Sequence, residues 1–165
     1  MENARMKQEG LFGIEDVEIK LRPKIKGTGR RVRSAAEVYE TSGKRIGDSA
    51  REVFLVLSMN TKNEIIKKAV HMVGTVDSSA VYPREIIGKA LLCDATALIF
   101  IHNHPCGDPD TSLCDRDITR SLVMATELMQ IKTLDHLMVG EGRYYSFADY
   151  GLIDEYRLQF SGLNR

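Results

Sequence analysis

The chain is poor in cysteine: Cys93, Cys106 and Cys114 are its only three, and no two of them form a CxxC pair. An odd, scattered set excludes a disulfide framework and fits a reducing compartment, so the cytoplasm is the expected address. Net charge is missing too, since 23 Lys+Arg balance 23 Asp+Glu. No protein-wide field draws the molecule to nucleic acid or an anionic membrane, and any such attraction has to be local. No apolar run approaches the roughly 18 residues of a membrane span. The opening MENARMKQEG is too polar for the apolar core of a signal peptide. Repeats and low-complexity tracts are absent from the text as well.

What is present suffices for one domain with a real core: 165 residues, 43% of them hydrophobic. Three parts are expected: a basic N-terminal segment (1–33), a globular domain (34–155) and a C-terminal tail (156–165). In the first, residues 20–33 hold Lys20, Arg22, Lys24, Lys26, Arg30, Arg31 and Arg33 without an acid. Ile19, Leu21 and Ile25 alternate with these cations, which suits a strand with one wet face, and Pro23 confines it to an edge. The segment reads either as a solvated arm or as a weak contact surface for DNA.

From Ser34 the chain alternates helices and strands. Ser34-Ala-Ala-Glu37 is a capping box that opens a helix expected to end near Gly43. Residues 52–58 and 64–73 predict two hairpin strands, and Pro83 opens a helix running to about Cys93. Ala97–Ile101 predicts a buried central strand. A helix over about 113–130 carries Ile118, Leu122, Ala125 and Met129 on one face. Leu134–Gly140 and Tyr144–Phe147 flank a glycine-bearing turn. The expected class is α/β, a mixed β-sheet flanked by helices.

The chemistry is concentrated where the central strand runs into Ile101-His102-Asn103-His104-Pro105. In extended backbone, residues i and i+2 point to the same side, so His102 and His104 can present two imidazoles to one metal ion. The loop Cys106–Thr111 then delivers Asp115 in the first turn of the next helix. Two imidazoles and a carboxylate leave a fourth tetrahedral position for water, the arrangement of a catalytic zinc site. Ser112-x-x-Asp115 also meets the loose form of a capping box, so the same residues admit a purely structural reading.

His102-x-His104-Pro105, with Ser112 and Asp115 following, resembles the JAMM motif of MPN-domain metallopeptidases. More narrowly, His-Asn-His-Pro-x-Gly-Asp-Pro is similar to the bacterial RadC family, as are Gly74-Thr-Val, Pro83-Arg-Glu85, Leu134-Asp-His136 and Ser146-Phe147 around it. The resemblance covers about residues 34–153. It implies the JAMM/MPN fold, related to that of the cytidine deaminases. It also implies a zinc-dependent peptidase or isopeptidase acting on a peptide or protein substrate. Metal ligands would be His102, His104 and Asp115. Glu52 resembles the upstream glutamate that such sites use as proton acceptor, and Ser112 a donor to the reacting carbonyl oxygen. Glu85 is the rival carboxylate, but its place at a helix start is explained by the helix dipole.

The chain departs from the RadC pattern in three ways. Its short basic segment does not read as the helix-hairpin-helix region that RadC proteins commonly carry, Cys106 stands for a usual serine, and Thr111 stands for a usual proline. Cys114 beside Asp115 is a further possible thiolate ligand. His136 is expected to be structural or to stand behind the site, and His71 to lie on the surface. The length disfavours an amidohydrolase barrel, which needs eight βα units. The remaining alternative is a DNA-repair-associated module of RadC type, in which the fold is a scaffold.

Overall fold

The computed structural model describes residues 29–74 and 81–163. The strand expected over 19–26 lies outside them. Five strands, β1 (Glu52–Met59), β2 (Ile65–Gly74), β3 (Ala97–Asn103), β4 (Lys132–Val139) and β5 (Tyr144–Ser146), form one sheet in the order β2-β1-β3-β4-β5. Only β3 and β4 run parallel. The helix α4 (Leu113–Leu128) supplies the crossover that parallel neighbours require. The mixed α/β class is therefore as expected.

Both faces of the sheet are covered, which is why β1 and β3 read as nearly unbroken apolar runs. One face, with Leu55, Leu57, Ile99, Ile101 and Leu137, packs on Val38 of α1 (Ala35–Val38), Ile46 of α2 (Lys44–Gly47) and Tyr39 between them. The other, with Phe54, Val56, Leu98 and Phe100, packs on α4 and on α3 (Pro83–Leu92). A third apolar group joins Val123 and Met138 to Ile153 and Tyr156 of α5 (Leu152–Leu163). The boundary drawn at residue 155 thus falls inside a helix whose Tyr156 is buried. Among the described residues no helix is long and apolar enough to cross a membrane.

Two local expectations are corrected. The helix opened by Ser34 does not end near Gly43; it continues through a π-turn, Tyr39–Gly43, into α2. Gly43 is there for closeness rather than for termination, because a Cβ would come within 2.8 Å of the Tyr39 ring and 3.4 Å of Val139. On α4 the buried stripe is Asp115, Thr119, Leu122, Val123 and Thr126, whereas Met129 is 43% exposed. Hydrophobicity alone misplaces this face, since the buried threonines meet their needs by hydrogen bonds. Thr119 donates to the Asp115 carbonyl and Thr126 to that of Val123.

Residues 30–32 of the basic segment join the domain. Arg31 bridges to Glu64, Ile65 N donates to the Arg30 carbonyl (3.1 Å), and Val32 N donates to that of Asn63 (3.0 Å).

Candidate metal centre

His102 lies in β3, opposite Phe54 of β1. The extended backbone persists past the strand's end, because the His104 N–H still donates to the Val139 carbonyl of β4 at 2.9 Å. The two imidazoles therefore share one side, with ring centroids 5.2 Å apart. Asn103, between them, points the other way and is fully buried. Its amide accepts from Val53 N (2.7 Å) and donates to the carbonyls of Ser49 and Arg51. Asn103 thus clamps the start of β1, and with it Glu52.

The loop after His104 is pinned against the β4–β5 turn. Gly107, at φ +83°, accepts from Glu141 N at 2.8 Å. A Cβ on Gly140 would lie 2.2 Å from the Gly107 carbonyl oxygen, so only glycine permits this approach. The chain then enters α4 through a complete capping box: Asp115 N donates to Ser112 Oγ (3.1 Å), and Ser112 N donates to Asp115 Oδ2 (2.8 Å). The Ser112 hydroxyl also donates to Oδ2, at 2.6 Å. The structural reading of Ser-x-x-Asp is correct, and it occupies Oδ2 while leaving Oδ1 facing His102.

His102, His104 and Asp115 each offer a ligand atom, all within 4.8 Å of one another, a grouping able to hold a metal ion. Hydrogen bonding tests whether a cation fits. His104 Nδ1 lies 2.7 Å from the Asp108 carbonyl oxygen, which only accepts, so Nδ1 carries the proton. In the neutral ring Nε2 is then bare, and it faces Asp115 Oδ2 at 3.5 Å. His102 Nε2 lies 2.6 Å from Glu52 Oε1 and donates to it. That leaves a buried Nδ1 without a hydrogen-bond partner, 3.5 Å from Asp115 Oδ1. Two bare nitrogens thus converge on a carboxylate, and acceptors so placed need a cation or added protons between them. The residues fit a metal. Protons are the competing answer, and hydrogen bonding to Asp115 pushes the His104 pKa up. Burial pushes the Asp115 carboxyl up, but the two histidines and Ser112 overrule it and hold it below the usual carboxylate range.

A cavity of about 350 Å³ opens beside the cluster. Glu52, His102, Cys114 and Asp115 supply polar atoms to its lining, and Phe54, Met72 and Ile118 supply apolar wall. Glu85 is exposed on α3 and is not among the lining residues. Glu52 Oε1 has His102 Nε2 as its hydrogen-bond partner. Cys114 is exposed in the first turn of α4. His71 sits on β2, its Nδ1 3.4 Å from Lys89 Nζ, away from the cluster.

His136 stands directly behind the site. It is fully buried and stacks on His102 (centroids 6.4 Å) and on Phe147 (5.3 Å). Burial, and then the charge of His102, push its pKa down to about 3. Its Nδ1 lies 2.7 Å from Thr119 Oγ1. Thr119 has no counterpart in the sequence reading; the available signal was Asp115, Thr119 and Thr126 at helical spacings on one face of α4.

Helices on both faces of a mixed sheet, with His-x-His leaving the central strand and an aspartate in the next helical turn, define a domain of JAB/MPN type. Comparison makes this particular. Residues 32–152 match the RadC-like JAB domain family, and the chain belongs to it. Proteins called UPF0758 are similar to it. That of Trichlorobacter lovleyi is 42% identical over 126 residues, 76% of this chain and 55% of its own. Those of Haemophilus influenzae and Histophilus somni are 50% and 47% identical over 103 residues, 62% of this chain and 47% and 46% of theirs. The chain spans about half the length of the curated relatives it matches.

Proposed function

We propose that this domain is a zinc metallohydrolase that cleaves an amide bond, peptide or isopeptide, in a protein or peptide substrate. The observation that carries the reading is the convergence of two bare imidazole nitrogens on the Asp115 carboxylate beside an open cavity. Two nitrogens and one carboxylate oxygen suit zinc and leave it an open position. When bound, zinc supplies Lewis acidity and makes a water acidic enough to lose a proton near pH 7.

The chain's own groups do the rest. Glu52 takes the proton of the attacking water and returns it to the leaving amine, and it fixes the His102 ring by accepting from Nε2. Ser112 holds the Asp115 carboxylate, and its hydroxyl turns to the carbonyl oxygen as that atom gains charge. One such donor contributes roughly 10²–10³ in rate. Phe54, Met72 and Ile118 keep one side of the reacting bond dry.

The test combines metal analysis with cleavage of a quenched-fluorescent peptide library, with and without chelator. Glu52→Gln keeps a carbonyl oxygen for His102 but cannot take a proton. It is expected to retain zinc and lose cleavage. Cleavage that is indifferent to chelator, or a Glu52→Gln variant as active as the parent, overturns the reading.

A further inference from the structure

The hydrogen bonds behind the cluster have a direction. The Thr119 hydroxyl has a single proton, and it is donated to the carbonyl of Asp115 one helical turn earlier. The contact between Thr119 Oγ1 and His136 Nδ1, 2.7 Å, must therefore run the other way, with Nδ1–H donating to the hydroxyl oxygen. This fixes the His136 tautomer and leaves Nε2 bare, buried and without a partner. A bare buried acceptor is destabilising, because it gives up its water without gaining a partner. An apolar ring would fill the same space among Phe54, Phe100 and Phe147 without that cost. The imidazole is explained by what its other nitrogen does.

We propose that His136 is a positioning residue for the metal-binding carboxylate: acting through Thr119, it ties the first turns of α4 to β4 and sets where Asp115 stands relative to His102 and His104. Both arms of the cluster then hang on the same strand. His104 is held by its N–H on the Val139 carbonyl, and Asp115 by the relay His136 Nδ1–H to Thr119 O–H to the Asp115 carbonyl. Because β3 and β4 are parallel neighbours, with Phe100 opposite His136 and His102 opposite Met138, the frame is rigid across the site. The inference rests on the proposed metal site and deepens it by naming two residues that touch neither metal nor substrate.

Thr119→Val has nearly the same shape and removes only the hydroxyl. The readouts are zinc affinity, by competition with a chromophoric chelator, and the zinc-induced rise in Tm. Thr119→Val and His136→Phe are each expected to weaken zinc binding 10–100-fold, the usual cost of losing such a supporting partner. Thr119→Ser, which restores the hydroxyl, and His136→Asn, which restores a donor near the Nδ1 position, are expected to bind within about threefold of the parent, a recovery of most of that loss. The double variant Thr119→Val/His136→Phe is expected to bind no more weakly than either single one, because the two act as one link. If Thr119→Val does not fold, Thr119→Ala against Thr119→Ser makes the same comparison. Unchanged zinc affinity in folded Thr119→Val or Thr119→Ala, or a lowered Tm with an undiminished zinc-induced rise, overturns the positioning role and leaves the metal site standing. A parent chain that binds no zinc overturns both.

Discussion

Asp135 and Asp115 are equally buried, 6% and 5% exposed, yet their surroundings are opposite in kind. On the face covered by α1 and α2, Asp135 is met by donors: His136 N (2.7 Å), Ala148 N (2.9 Å) and Ser146 Oγ (2.7 Å). On the other face, Asp115 has its donors on Oδ2 and meets bare imidazole nitrogens as well. A carboxylate ringed by its own donors is architecture, here pinning the turn after β5 to β4. A carboxylate that also faces bare acceptors can share a cation with them. Hydrogen-bond surroundings, more than burial, distinguish these two carboxylates.

The sharpest break of that comparison is His104→Ala. If the proposed centre holds zinc, zinc is expected to fall from about one per chain to nearly none, with the fold retained, because the proposed ligand His104 is set outside the apolar core. Full occupancy measured by elemental analysis would remove His104 from the site. Asp135→Ala is expected to do the reverse, costing about 3–5 kcal/mol by stranding three donors while leaving zinc affinity intact. Denaturant unfolding and chelator competition on the same samples read both sides.

Of this contrast, the site half was legible in the sequence and the structural half was not. His102 and His104 follow from the period of two, and Asp115 from its place in a first helical turn; each depends on spacing along the chain. The partners of Asp135, and the relay from His136 through Thr119, join residues far apart in sequence by hydrogen bonds that leave no periodic trace. The same reason explains the misplaced face of α4, where threonines are buried because their hydroxyls are satisfied. Gly43 looked like a stop and is a close contact, which depends on Tyr39 and on a strand almost a hundred residues later.

Asp135 also has a pH signature. Burial pushes its pKa up to about 6, with Asp149 adding to the shift and its three donors opposing it. Between about pH 4 and 6 the native state holds a proton that the unfolded chain has released, so this group's contribution falls as pH rises through that window. At ~1.4 kcal/mol per pKa unit, the loss is roughly 3 kcal/mol at most. His71 and His136, pushed down to about 4 and about 3 chiefly by burial, act in the opposite sense, favouring the fold as pH rises. The measurement is therefore a difference. Asp135→Asn, which keeps an acceptor for the two amides, is expected to be more stable relative to the parent at pH 7 than at pH 4. A pH-independent gap between them would show that folding does not raise the Asp135 pKa.

The smallest expected change in stability belongs to Ser112, which is at once a helix cap and a partner of the cluster's carboxylate. As N-cap it accepts from Asp115 N, and as donor it holds Asp115 Oδ2 through both its N and its Oγ. Ser112→Ala removes the cap acceptor and one of the two donors, but the backbone N–H still reaches the carboxylate. The cost is expected to be about 1 kcal/mol in denaturant unfolding, the ordinary worth of such a cap. With only half of its anchor lost, Asp115 is expected to keep zinc to within about tenfold, nearer the weak end of the range for supporting partners. A loss as deep as that of His104→Ala would make the Ser112 hydroxyl indispensable to the metal centre. An unchanged zinc affinity would show that the backbone N–H alone suffices to hold the carboxylate, and would leave the hydroxyl to the cap and to catalysis.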